Sequence, residues 1–158
     1  MKWRALVPLL ALLPFAPGCI STARNPGVRT RAFLYDAWYA WESGRNAEAL
    51  AAGRQAVRFA AKENVAPEVL VEVYDDAGLY CYVNQLPAEA ATHQAVAVLL
   101  ARKFGLPAAQ QQVYEGRLRT ALGAADPALD TARLLALPGV GANPHIRKYY
   151  AGWLKSPR

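Results

Sequence analysis

The sequence predicts an all-α protein, built as an array of about three helical hairpins. Alanine, which favours helix, is the commonest residue, and apolar residues recur at helical spacing. In addition, prolines stand 20 residues apart, at Pro67, Pro87, Pro107 and Pro127. Proline is tolerated in the first turn of a helix, because that N–H has no intrahelical acceptor. A helix with its turn about every 20 residues gives a hairpin about every 40, which is a repeat architecture.

The first 18 residues have the layout of a secretory signal peptide. A short basic stretch, Met1–Arg4, precedes an apolar run of 11 residues from Ala5 to Phe15. A membrane-spanning helix needs about 20 residues, so this run is too short to be one. A run of this length between a basic start and small residues is typical of a signal peptide.

A cysteine directly follows the predicted signal peptide. Cys19 comes after Gly18, and this junction resembles the lipobox of bacterial lipoproteins. The resemblance implies cleavage before Cys19, acylation of its thiol and its new amino group, and a lipid anchor in a membrane. Ile20 stands where aspartate often signals retention at the inner membrane, so the resemblance implies the periplasmic face of the outer membrane. The alternative is an ordinary secretory peptide that ends near a cysteine.

The first hairpin is expected just after a polar tether. Residues 19–27 form this tether, and residues 28–137 form the repeat domain. The first helix is predicted from Val28 to Ser43, where Gly44 ends it. The second is predicted from Asn46, a residue suited to the N-cap, to about Lys62.

The second hairpin has the clearest local signals. Pro67 opens a run of helix formers, Asn84–Leu86 interrupts it, and Pro87 opens a second run. Gly105 follows the last residues of that run, where a left-handed C-terminal residue is expected.

The third hairpin and the C-terminal region, residues 138–158, complete the prediction. The third hairpin is expected at Pro107–Leu122 and Pro127–Leu137, with Asp126 as the N-cap of its second helix. A last helix is expected from Pro144 to Leu154. Its apolar stripe is Ile146, Tyr149, Tyr150, Trp153 and Leu154. This helix either caps the exposed face of the last repeat or lies on anionic lipid.

Small residues recur at matching places in the first two hairpins. They are Ala37, Gly44, Ala49 and Ala56 in the first, with Gly78, Gln85, Ala90 and Ala97 at the matching places in the second. Small side chains let two helices approach where they cross. This spacing resembles the tetratricopeptide repeat, which implies a right-handed solenoid whose first helices line a concave groove for an extended or helical peptide. A generic array of helical hairpins is the alternative.

The resemblance also implies which residues line the groove. They are Arg31, Leu34, Trp38, Trp41, Glu42, Glu72, Asp75, Leu79 and Tyr82. Five aromatics fall within the nine residues from Phe33 to Trp41, more than one core stripe would use. Trp and Tyr often anchor binding interfaces. The alternative is that Trp38 and Trp41 are buried against the tether or a neighbouring helix.

Catalytic, metal and nucleic-acid sites are not predicted. Glu89 and His93 stand four residues apart and offer two metal ligands, but no cysteine or second histidine is spaced to complete a site. We therefore expect no metal and no cofactor. The net charge of +6 is spread along the chain without a basic run, which argues against nucleic acid.

Taken together, these features predict a non-enzymatic interaction protein. A lipid-anchored helical array is expected to hold an envelope protein or peptide segment at the membrane, as small lipoproteins that help assemble envelope complexes do. One alternative is an accessory subunit or enzyme that acts on cell wall or lipid. Another is a structural lipoprotein that associates with itself through exposed aromatics.

Overall fold

The computed structural model describes residues 27–123 and 129–155. The predicted signal peptide, Cys19 and nearly all of the tether lie outside the described residues, as do Asp126 and Pro127. Every described element is helical. The helices are α1 (Val28–Glu42), α2 (Asn46–Ala60), α3 (Pro67–Val83), α4 (Pro87–Lys103), α5 (Ala108–Leu122), α6 (Thr131–Ala136), α7 (Pro144–Tyr149) and α8 (Ala151–Lys155), with a 3₁₀ turn at Val140–Ala142.

Successive helices pack against each other in a series. α1 pairs with α2 and α3 with α4 as antiparallel hairpins, α2 packs on α3, and α5 packs on α4. The all-α prediction is thus confirmed. Pro67 and Pro87 begin α3 and α4, and Pro107 immediately precedes α5.

Three helices end with the same backbone motif. α1, α3 and α4 are followed by a left-handed residue, namely Gly44 (φ 72°), Gln85 (φ 60°) and Gly105 (φ 67°). In each case the next N–H donates to the carbonyl five residues back, at 2.8 to 3.0 Å, as in a Schellman motif. In the part of the chain that the structure describes, Gln85 is the one residue other than glycine with a positive φ.

The small residues predicted at the helix crossings are buried in both hairpins. The buried positions are Ala37, Ala49, Ala56, Gly78, Ala90 and Ala97. At Gly78 an added Cβ would lie 2.6 Å from Gln94 Nε2, so only glycine fits there without displacing Gln94. These contacts explain why the chain places its smallest residues where two helix backbones approach most closely.

Two predicted helix starts are wrong. Asn46 is the first residue of α2 and not its N-cap, a position that Arg45 occupies without a side-chain bond. α6 begins at Thr131 and spans six residues, because Asp130 caps it by accepting the N–H of Arg133 at 2.9 Å. Leu129 and Asp130 are not helical, so the predicted helix from residue 127 does not form at these positions. α6 packs against α4 and against the 3₁₀ turn.

The predicted C-terminal helix is broken at Tyr150. Its ring is buried, and its hydroxyl donates to the Leu99 carbonyl at 2.5 Å. α7 ends before it and α8 follows it, so the apolar stripe is divided. Ile146 is buried, whereas Trp153 remains 58% exposed.

Side chains of the C-terminal segment and of the α3–α4 hairpin hold the two together. Besides the Tyr150 bond, Asn143 Nδ2 donates to the Tyr74 hydroxyl, and Thr92 Oγ1 donates to the Pro138 carbonyl, both at 2.9 Å. The segment thus covers one side of α4. No helix within residues 27–123 or 129–155 has the length and apolar character needed to cross a bilayer.

Candidate functional site

A depression lies between α1 and α3, the first helices of the two hairpins. It is a cavity of about 480 Å³, which we call the α1–α3 groove. Its lining residues are Arg31, Leu34, Tyr35, Trp38, Val69, Glu72 and Asp76. Four of these, Arg31, Leu34, Trp38 and Glu72, belong to the set predicted from the sequence.

The aromatic run of α1 is divided between two environments. Phe33 turns inward and stacks on Phe59, with ring centroids 5.3 Å apart. Trp41 is half-buried against the small residues where α1 and α2 cross. Trp38 lines the groove and stays 52% exposed, and Tyr35 beside it is exposed as well. The groove therefore has an aromatic wall that the protein core does not use.

The opposite wall is acidic. Glu72 and Asp76 lie one turn apart on α3 and face the groove, and Glu72 is exposed. Burial, with repulsion from Asp75 and Glu72, raises the pKa of Asp76 to about 7. The negative charge of this wall therefore increases as the pH rises through neutrality.

Asp75 does not line the groove, although it was predicted there. Its side chain is directed towards α5, where Arg117 donates to its carboxylate, and the residue is only 4% exposed. Its backbone carbonyl accepts a hydrogen bond from Gln94 at 2.8 Å. Burial raises the pKa of Asp75 while the Arg117 charge opposes that rise. Asp75 is therefore part of a packed contact between α3, α4 and α5.

A second, smaller depression lies on the other side of α3. Its volume is about 140 Å³, and Leu79 and Tyr82 line it together with Arg117 and Thr120 of α5. Tyr82 is exposed. Glu42, the last residue of α1, is also exposed. The nine predicted residues thus occupy two depressions that flank α3, one helix end and two packed positions.

Sequence reasoning missed Tyr35, Val69 and Asp76 in the α1–α3 groove. Tyr35, Asp76 and Arg117 stand 41 residues apart and lie on α1, α3 and α5 respectively. This offset also relates Gly44 to Gln85. This offset was a usable signal, because it relates Tyr35 to Asp76, and both residues line the α1–α3 groove.

A separate cluster joins Cys81, Glu89 and His93. One ligand atom from each lies within 4.8 Å of the others. The Cys81 thiol therefore lies close to the Glu89–His93 pair, which its spacing in the sequence did not indicate. Cys81 and Glu89 each lie four residues from Gln85 in the turn, so the hairpin brings them face to face.

The α1–α3 groove combines two exposed aromatic side chains and two carboxyl groups with one cation, Arg31. Aromatic faces attract ammonium and guanidinium groups, and carboxylates pair with them. Comparison with models of protein families, with curated proteins and with solved structures finds no match for this chain. A functional assignment therefore depends on the groove itself, whose wall of Trp38 and Tyr35 faces the carboxyl groups of Glu72 and Asp76.

Proposed function

We propose that the protein is a non-enzymatic, lipid-anchored adaptor whose α1–α3 groove binds a basic peptide segment of another envelope protein. The observation that carries this proposal is the pairing of an exposed aromatic wall, Trp38 and Tyr35, with the acidic wall of Glu72 and Asp76. Exposed tryptophan and tyrosine beside charge are typical of residues that anchor binding. The side chain that enters this groove is a lysine or an arginine.

The finer fold assignment, a tetratricopeptide-like solenoid, is part of the proposal. Its support is the 41-residue offset, the repeated ending of α1 and α3, and the buried small residues at both helix crossings. In such an array α1, α3 and α5 line one concave surface. α6, with six residues, makes the third hairpin incomplete.

A peptide fits this surface better than a small molecule. The two depressions flank α3, one with Trp38 and the other with Tyr82. A ligand that crosses α3 contacts both aromatic residues, whereas a small molecule fills one depression only. An extended peptide rises about 3.3 Å per residue, so a segment of a few residues is long enough to cross a helix that is about 10 Å in diameter.

The first test uses defined peptides and the Trp38→Ala variant. Immobilised peptides that alternate valine with lysine are compared with peptides that carry glutamate in place of lysine. We expect the lysine peptides to bind and the glutamate peptides not to bind. Trp38→Ala and Tyr82→Ala should each weaken binding by about 2 kcal/mol, which is roughly thirtyfold. Thermal melting should change little, because both side chains are exposed.

Tyr39→Ala is the matched control for this test. Tyr39 is an aromatic of α1 with 64% exposure that does not line the groove. Its removal should leave binding unchanged. Equal binding of glutamate peptides, or an equal loss in Tyr39→Ala, would show that the groove does not recognise a basic peptide. A melting temperature that collapses in Trp38→Ala would mean that the tryptophan is a core residue, whose loss costs about 3–5 kcal/mol.

The lipid anchor is tested separately. The basic start, the apolar run and the Gly18–Cys19 junction support acylation of Cys19. Each buried methylene of an acyl chain contributes about 0.8 kcal/mol to membrane binding, so several chains anchor stably. We expect the wild-type protein and Cys81→Ser to partition into detergent and Cys19→Ser to remain in the aqueous phase or unprocessed. A wild-type protein without lipid by mass spectrometry would contradict the anchor but leave the groove proposal intact.

A further inference from the structure

We propose that Cys81, Glu89 and His93 bind a Zn²⁺ ion. Their ligand atoms lie within 4.8 Å of one another at the closed end of the α3–α4 hairpin. This site is independent of the α1–α3 groove and of the peptide proposed to bind there. A thiolate, an imidazole and a carboxylate are together a donor set typical of zinc and unlike the all-oxygen sets of Mg²⁺ or Ca²⁺.

The hairpin fixes the three ligands in position. Cys81 lies in the last turn of α3, and Glu89 lies in the first turn of α4. His93 follows Glu89 by four residues on the same helical face, and its Nε2 is 3.7 Å from Glu89 Oε1. Ligands of tetrahedral zinc lie about 2.0–2.3 Å from the metal and hence about 3.3–3.8 Å from each other. The separation of His93 Nε2 from Glu89 Oε1 already falls in this range, and any separation as long as 4.8 Å has to contract by about 1 Å through side-chain rotation.

Burial and charge also suit a divalent cation. Cys81 is buried, and the side chain of His93 is only 16% exposed. A thiolate and a carboxylate together carry two negative charges, of which the Arg54 guanidinium beside Glu89 offsets one. Glu89 is partly exposed, so water reaches the cluster and can supply the fourth ligand.

Arg54 of α2 supports the carboxylate from outside. Its Nη2 donates to Glu89 Oε2 at 2.6 Å and its Nε to Glu89 Oε1 at 3.0 Å. With zinc on Oε1, the Nη2 bond to Oε2 remains and orients the carboxylate. Ligating carboxylates in metal sites are commonly held by such an outer hydrogen bond.

The chemistry of the thiol predicts how many protons the metal displaces. A cysteine thiol ordinarily has a pKa of about 8.5 and is protonated at neutral pH, whereas it binds zinc as the thiolate. Zinc binding converts the thiol to a zinc-bound thiolate and releases one proton to the buffer, so affinity rises about tenfold per pH unit. The charged and titratable groups around the thiol are Glu89, His93 and Arg54.

The test is a titration of the metal-stripped full chain with Co²⁺, which replaces Zn²⁺ and gives visible spectra. We expect a thiolate-to-cobalt charge-transfer band that one equivalent of Zn²⁺ removes. Cys81→Ser should abolish the band, and His93→Ala should weaken Zn²⁺ affinity at least about tenfold. Calorimetry in buffers of different ionisation enthalpy should show one proton released per zinc.

Two matched variants serve as controls. Cys19→Ser removes the other cysteine of the chain, and His145→Ala removes the other histidine, which packs against Tyr74 at 5.9 Å between ring centroids. Both should bind zinc as the wild type does. The proposal is overturned if no thiolate band forms at millimolar Co²⁺, if Cys19→Ser loses the band while Cys81→Ser keeps it, or if His93→Ala and His145→Ala have the same affinity. If Cys81→Ser does not fold, the comparison of zinc affinity between His93→Ala and His145→Ala decides the question.

Discussion

Gly78→Ala tests how closely α3 and α4 cross. A Cβ at residue 78 would lie 2.6 Å from Gln94 Nε2 and 2.7 Å from Gln94 Cγ, which is too short for non-bonded atoms. Gln94 is buried, and its Nε2 donates to the Asp75 carbonyl. The amide therefore cannot move aside without breaking that hydrogen bond.

The expected change in the free energy of unfolding combines opposing effects. Alanine is favoured over glycine within a helix by about 0.5–1 kcal/mol. Against this, displacing Gln94 leaves buried polar groups unpaired, at a cost of about 1–3 kcal/mol. If Gln94 stays in place instead, compression of the crossing costs a similar amount, since overpacking typically costs about 1–3 kcal/mol. We expect Gly78→Ala to destabilise the protein by about 1–2 kcal/mol and Gly78→Leu by about 3 kcal/mol.

Gly116→Ala is the matched control, because Gly116 lies inside α5 with nothing within 4 Å of an added Cβ. It should stabilise the protein by about 0.5–1 kcal/mol. Urea denaturation followed by circular dichroism measures both variants. Adding Gln94→Ala to Gly78→Ala should restore part of the loss. The reasoning would be refuted if Gly78→Ala and Gly116→Ala stabilised the protein equally.

Two further predictions concern the turn and the groove. Gln85→Gly should stabilise the protein by about 0.5–1 kcal/mol, because Gln85 holds a left-handed conformation that glycine adopts without strain. Gly44→Gln should destabilise the protein by a similar amount. Urea midpoints of both variants equal to that of the wild type would contradict this. The folded-state pKa of Asp76 is about 7 and its ordinary value is 3.8, so the unfolded chain loses this proton first and stability falls as the pH rises between those values. Asp76→Asn should therefore raise the melting temperature at pH 8 much more than at pH 4. A shift in Asp76→Asn that is the same at both pH values would rule out this explanation.

Local signals predicted much of the helical framework. Pro67 and Pro87 begin helices because the proline ring fixes φ at a helical value. Its missing N–H costs nothing in the first turn, where no intrahelical acceptor is available. Gly44 and Gly105 end helices because the left-handed conformation is a property of the residue itself. The small residues at the helix crossings were also predictable, because small side chains that recur at matching positions indicate that two helices pack closely there.

Features that depend on distant partners were not predictable. The break at Tyr150 follows from a hydrogen bond to Leu99, 51 residues away. Asp75 and Asp76 are adjacent acids. Asp75 is the one that is turned away from the groove, because it pairs with Arg117 of α5. Helical periodicity alone cannot tell which of two adjacent residues, both near the edge of one helix face, points towards the groove. The proximity of Cys81 to His93 was not predictable, because the two residues are far apart in the sequence and only the fold of the hairpin brings them together.

The bonds between the C-terminal segment and the α3–α4 hairpin have a consequence for cooperativity. An array whose helices contact only their neighbours can open one hairpin at a time from either end. Here Tyr150 and Asn143 are tied to Leu99 and Tyr74, which lie in the middle hairpin. The end of the chain cannot detach without exposing the most buried helices, so these parts exchange their amide hydrogens as one unit. The His145 imidazole of α7 also hydrogen-bonds to the backbone of Ala60 in α2, so the C-terminal segment ties the α1–α2 hairpin to the rest of the array as well.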